Sequence, residues 1–178
     1  MTRKVLIVLA HPAFHKSRAN RALIEAASAM EGVSVRDLYE LYPDFLVDVR
    51  AEQAALEAHQ ALVLQHPLHL FSCPALGKEW LDVVLSHGWA YGEGERALVG
   101  MNWMQAVTSG LREGWAAEKG LERYELRELL RPFEATALLC GMQWREPFML
   151  HARQAQSASD VAHAAEAYCA RIRELQDG

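Results

Sequence analysis

Apolar residues in this chain fall into short unbroken runs, separated by helix-length stretches in which they recur every three or four positions. Val5-Leu6-Ile7-Val8-Leu9-Ala10 and Ala61-Leu62-Val63-Leu64 carry no polar interruption, the pattern of strands buried on both faces. The pattern predicts strands near 4–10, 33–37, 61–66, 101–108 and 144–150, with helices near 17–30, 50–59, 75–86, 122–140 and 158–176. Pro132 falls inside the fourth helix and is expected to kink or break it. Val161, Ala165, Tyr168, Ile172 and Leu175 share one face of the last helix, which needs only a sheet to cover. Trp80, at helical spacing from Leu76 and Val84, reads as core, as does Trp103 within the fourth strand. Strict alternation of strand and helix implies an α/β fold with a doubly wound parallel sheet of five strands. The expected order is 2-1-3-4-5, which gathers the loops after strands 1, 3 and 4 around one crevice.

Composition narrows the class. The 178 residues, 51% of them hydrophobic, suit one globular domain spanning 1–178. No apolar stretch approaches the roughly 20 residues that span a bilayer, and Met1-Thr2-Arg3-Lys4 leads directly into a strand, so a cytoplasmic protein is expected. A net charge of -5 argues against nucleic-acid binding. Cys73, Cys140 and Cys169 are too widely spaced for a disulfide framework or a zinc pattern, and His59, His151 and His163 lack ligand spacing, so no metal site is expected. Cys73 alone sits in a candidate ligand loop.

Two loops carry the candidate chemistry. The first strand runs through His11-Pro12 into Ser17-Arg18-Ala19-Asn20, where Ser17 is placed to cap a helix whose unpaired N–H groups would receive an anion. Lys16, Arg18 and Arg21 crowd that start, against the helix dipole, a conflict that a bound phosphate would relieve. The plainer reading is a solvated basic patch beside an ordinary cap. The third strand emerges as His66-Pro67-Leu68-His69-Leu70-Phe71-Ser72-Cys73-Pro74, a candidate ligand wall at the carboxyl edge of the sheet.

These segments, with Thr108-Ser109-Gly110, Asp37-Leu38-Tyr39, Tyr42-Pro43-Asp44-Phe45 and Ser86-His87-Gly88-Trp89-Ala90-Tyr91-Gly92, resemble the flavodoxin-like NAD(P)H:quinone oxidoreductases. Within that group, Tyr42 to Phe45 and Ser86 to Gly92 look like the ancillary subunits of glutathione-gated potassium-efflux systems, and Leu130-Arg131-Pro132-Phe133-Glu134 and Ala152-Arg153-Gln154 with Gln156-Ser157-Ala158 resemble one ancillary subtype more than the quinone reductases at large. The resemblance covers nearly the whole chain, and its strength lies in the order of the motifs.

The resemblance implies a flavodoxin-like three-layer sandwich holding a flavin, FMN rather than FAD, although no residue excludes an adenine extension. Its phosphate would meet His11, Ser17, Arg18, Ala19 and Asn20; its ring would lie against Pro67, Leu68, His69, Leu70 and Phe71 and against Thr108, Ser109, Gly110 and Leu111. Trp89 and Tyr91 would line the substrate pocket of a neighbouring subunit in a homodimer. This chain departs from many relatives where a large aromatic ring is replaced by Leu70 and a glycine by Leu111. Arg112-Glu113-Gly114-Trp115 offers no counterpart to the Tyr and His that assist hydride transfer in the better-known quinone reductases, so no catalytic acid is assigned. Two function classes follow: an enzyme passing hydride from NAD(P)H through flavin to a quinone, or a cytoplasmic regulatory subunit of a potassium-efflux antiporter, peripheral at the inner membrane, in which the flavin is structural or sensory.

Overall fold

The computed structural model describes residues 2–94, 96–110, 125, 127–151 and 155–178. Its centre is a sheet of parallel strands: β1 (Val5–Leu9), β2 (Val33–Asp37), β3 (Ala61–Pro67), β4 (Asn102–Ser109), β5 (Gln143–Trp144) and β6 (Phe148–His151). The order is β2-β1-β3-β4-β5, with β6 also paired to β4. The unbroken apolar runs of β1 and β3 occupy the middle, where every residue of β1 is buried.

Both faces are covered, as uninterrupted apolar strands require. On one face Leu6, Val8, Leu62, Leu64, Trp103 and Val107 pack beneath α3 (Val49–Glu57), α4 (Ala75–Val84) and α5 (Arg131–Leu139), which contribute Leu56, Leu76, Trp80, Val84, Phe133 and Ala137. On the other, Val5, Ile7, Val63, Met104 and Ala106 meet Leu23 and Ala27 of α1 (Arg18–Ser28) and Ala165, Tyr168, Ile172 and Leu175 of α6 (Ala158–Asp177). A short helix, α2 (Leu38–Leu41), follows β2 and was not foreseen in the sequence; Asp37 caps it through the Tyr39 N–H. Each fully buried Leu or Val side chain contributes about 1.5–3 kcal/mol.

Two expectations need correction. Pro132 does not break a helix but stands in the first turn of α5, where its missing N–H costs no hydrogen bond. The fifth strand, expected unbroken over 144–150, is two pieces on one edge of β4. Trp103 pairs with Trp144 and Ala106 with Phe148, so three steps along β4 face four along its partner. One extra residue is accommodated as a bulge between them, ending at the buried Pro147. The bulge reverses the alternation: Trp144 packs with the core under α4 and α5, whereas Phe148 joins the core under α1 and α6.

Candidate functional site

The loops after β1 and β3 meet the end of β4 at the carboxyl edge of the sheet. After β1, the Ala13 N–H donates to His11 Nδ1 at 3.1 Å, which leaves the ring proton on Nε2 as a donor. Burial, and secondarily the nearby His69, lower the pKa of His11, so the ring is neutral. A 3-10 turn over Phe14–Lys16 then delivers the chain to Ser17, which caps α1 by accepting from the Asn20 N–H at 3.2 Å. The N–H groups of Arg18 and Ala19 have no acceptor among the described residues, as expected for the first turn of a helix.

Asn20 is buried at 1% exposure. Its Nδ2 donates to Ser17 Oγ at 3.0 Å and to Thr108 Oγ1 at 2.8 Å, and its Oδ1 accepts from Gln65 Nε2 at 3.0 Å. Gln65 Oε1 in turn accepts from the Tyr168 hydroxyl at 2.8 Å. The amide of Asn20 is therefore engaged inside the protein. Arg18, exposed, sends its guanidinium to the carbonyls of Ala155 and Gln156 at 2.6 and 2.5 Å, tying the start of α1 to the segment before α6.

After β3, the Leu68 N–H donates to the Thr108 carbonyl at 2.8 Å, joining the second loop to the end of β4. His69 and Ser72 exchange two backbone hydrogen bonds of 2.9 Å around Leu70 and Phe71. Both central residues are left-handed, with φ of 43° and 70°, the geometry of a type I′ turn that normally takes Asn-Gly. Leu70 at its tip is 94% exposed. Holding two non-glycine residues there costs about 1–2 kcal/mol each, and such strain concentrates at ligand clamps. Behind the turn, Cys73 is buried and its pKa is pushed up by that burial, which keeps it a thiol.

His66 is fully buried, with Nδ1 3.0 Å from the Pro67 carbonyl and Nε2 2.9 Å from the Gln105 side-chain amide. Burial lowers its pKa and keeps it neutral. A neutral ring has one N–H, which Nδ1 donates to Pro67; turning the Gln105 amide so that its otherwise unpaired NH2 faces Nε2 then satisfies the pair.

Trp89 and Tyr91 follow α4 and make their own contacts. The Trp89 indole donates to Glu57 at 2.9 Å, and Tyr91 stands edge-on to His87, with ring centroids 5.7 Å apart. Tyr91 also lines a cavity of about 230 Å³ between α4 and α5, which Ser72 of the turn borders as well. A larger cavity of about 790 Å³ is lined by Glu125, Arg127, Glu128, Arg131, Glu134 and Glu146, together with Leu130, Trp144 and Pro147. Leu111, the segment Arg112 to Trp115 and Ala152 to Gln154 lie outside the described residues.

With this geometry in view, residues 3–173 match a family described as having a flavodoxin-like fold. The chain belongs to the flavodoxin-like fold family. A Yersinia pestis protein named glutathione-regulated potassium-efflux system ancillary protein KefG is 46% identical over 165 residues, spanning 93% of this flavodoxin-like chain and 91% of its own. The general stress protein 14 of Treponema denticola, solved in complex with FMN, superposes with a TM-score of 0.90 at 38% identity, over 97% of this chain and 99% of that one. An NADPH-quinone reductase from P. pentosaceus gives 0.82 at 27% identity, over 94% and 96%.

Two contributors to the site carry no signal in their local sequence that points to it. Gln65 ends an apolar run, and a polar residue in a strand buried on both faces signals an internal partner. Tyr168 was read only as part of an apolar helix face, although its hydroxyl is what reaches Gln65. Among the described residues, no helix is long and apolar enough to cross a membrane.

Proposed function

We propose that this chain binds FMN across the three loops and catalyses two-electron reduction of a quinone by NAD(P)H. The observation that carries the reading is the donor set at the start of α1: two free N–H groups, a neutral His11 ring with its proton on Nε2, and the Ser17 hydroxyl with its oxygen already accepting. Such a set suits a phosphate, which only accepts. The projecting Leu70-Phe71 turn supplies an apolar surface of the kind a planar ring needs. FMN bound to the Treponema relative and the activity named for the P. pentosaceus relative support the same reading.

Bound flavin would supply a two-electron carrier between the donor and the acceptor. In the net reaction, hydride from NAD(P)H and one proton from solvent convert quinone to hydroquinone and release NAD(P)⁺. The chain's own part is to hold and shield: Ser17, Arg18 and Ala19 anchor the phosphate end, His69 to Phe71 wall the ring, and Thr108 with Ser109 and Gly110 border it from β4. By resemblance to the quinone oxidoreductases, a homodimer would place Trp89 and Tyr91 over the partner's crevice. Calorimetric titration should give one FMN per chain, with bleaching of the flavin absorbance on adding NADH or NADPH and its return on adding quinone. Absence of both FMN and FAD binding at micromolar concentration would remove this reading.

The name of the Yersinia relative supports a second reading, a regulatory subunit docked on a potassium-efflux antiporter from the cytoplasmic side. Leu41, Phe45 and Leu46 fit it, being exposed apolar residues around the Tyr42 to Phe45 segment. Co-expression with such an antiporter should raise glutathione-controlled potassium efflux, and a variant unable to bind FMN would separate docking from turnover.

A further inference from the structure

We infer that Tyr168, Gln65 and Asn20 form a relay that fixes the direction of the Ser17 and Thr108 hydroxyl protons, turning both outward as donors to the ligand. The inference rests on the FMN reading and assigns Asn20 a positioning role in place of direct contact with phosphate.

The direction of the relay follows from counting donors and acceptors. A side-chain amide can be turned end for end, so the hydrogen bonds joining Gln65, Asn20 and the two hydroxyls are compatible with either polarity. In one, Tyr168 donates to Gln65 Oε1, Gln65 Nε2 donates to Asn20 Oδ1, and Asn20 Nδ2 donates to both Ser17 Oγ and Thr108 Oγ1. In the other, every bond is reversed and both hydroxyls spend their protons on Asn20. Tyr168 breaks the tie. Its side chain is fully buried, and the Tyr168 hydroxyl meets Gln65 Oε1 at 2.8 Å with no other acceptor among the described residues. Reversal would leave the phenol hydrogen buried and unpaired, a loss comparable to a whole desolvated polar group.

With that polarity, Ser17 Oγ accepts twice, from the Asn20 N–H and from Asn20 Nδ2. Its remaining hydrogen is not spent on Asn20 and stays available, beside the Arg18 and Ala19 N–H groups, for an acceptor in the crevice. Thr108 Oγ1 accepts from the other Nδ2 hydrogen and is polarised the same way at the end of β4. A phenol under α6 thus decides that the crevice presents hydrogens and no lone pairs at these two points, which favours a ligand that only accepts there.

Tyr168→Phe separates this from direct ligation, because Tyr168 is fully buried in the core between α6 and the sheet. FMN and riboflavin dissociation constants are measured by flavin fluorescence quenching for wild type, Tyr168→Phe and Asn20→Asp, with thermal unfolding as a check on folding. Tyr168→Phe is expected to weaken FMN at least about threefold relative to riboflavin. Asn20→Asp, whose carboxylate can only accept, is expected to weaken FMN by about 100-fold or more relative to riboflavin. An unchanged FMN-to-riboflavin ratio in folded Tyr168→Phe overturns the relay, whether or not Asn20→Asp is impaired, and equal losses of both ligands reduce the network to a structural one. Failure of wild type to bind either flavin would sink the FMN reading itself, a distinct result.

Discussion

The indole N–H of Trp80 donates to the buried carboxylate of Glu52 at 2.8 Å, tying α4 to α3. Glu52 also accepts from Arg36 Nε at 2.7 Å and from the Tyr42 hydroxyl at 2.6 Å, so one carboxylate gathers β2, the end of α2, α3 and α4. Glu52→Ala leaves Arg36 without its counter-ion and is expected to cost about 3–5 kcal/mol. Trp80→Phe removes one donor and is expected to cost about 1–3 kcal/mol. In urea unfolding, the double variant should lose less than the sum, by about 0.5–3 kcal/mol; strict additivity would show that the two groups do not act together.

Gly77 makes the close approach of α4 to the end of β1. A Cβ there would lie 3.0 Å from the Ala10 Cβ and 3.5 Å from Cys73 Sγ. In an ordinary helix interior Gly→Ala stabilises by about 1 kcal/mol. Here Gly77→Ala is expected to destabilise by about 1–3 kcal/mol through overpacking, with Ala10→Gly in the same chain recovering most of the loss. A higher denaturation midpoint for Gly77→Ala alone would contradict the packing argument.

The type I′ turn at Leu70 and Phe71 offers a test in the opposite direction. Leu70 is 94% exposed, so Leu70→Asn removes little packing and relieves a left-handed residue. The flavin-free protein is expected to gain about 2–4 °C in Tm. A fall in Tm would mean that the turn is not strained.

Much of the fold was legible because β1 and β3 are long apolar runs that nothing but a doubly covered sheet can bury. The fifth strand was not, since even-numbered Trp144, Phe148 and Leu150 imply one face, whereas the bulge puts Trp144 on one side and the other two on the opposite side. Glu52 was equally opaque. In its own helix it is one acidic residue among several, and its burial depends on Arg36, Tyr42 and Trp80 arriving from other segments. At the site, the Ser17 cap and the converging loops could be read from local pattern, but the inward role of Asn20 could not, because it requires Gln65, Thr108 and Tyr168 to be neighbours.

His66 should leave a signature in the pH dependence of stability. Its native pKa lies below the ordinary value of 6.5, chiefly through burial. As pH falls from that value toward the native pKa, the unfolded chain binds a proton that the folded chain refuses. Stability is therefore intact above the unfolded pKa and is lost on acidification, by up to about 1.4 kcal/mol per pH unit from this residue. Urea unfolding between about pH 7.5 and about pH 5.5 should show that slope in wild type and a shallower one in His66→Gln. Identical slopes would mean that the ring is protonated in the folded state.

The extra residue between Trp144 and Phe148 also tells where this fold can change length. Because Trp144 and Phe148 are already in register with β4 on either side, removing Glu146 would splice two short strands into one continuous strand without moving either from its own core. Phe148 would keep its contact with the Tyr168 ring, now 5.0 Å between centroids. The same deletion inside β1 or β3 would turn every later side chain of the strand inside out. Along this sheet, then, tolerance to insertion and deletion belongs to the edge, and relatives differing by one residue between the last two strand segments can share both cores unchanged.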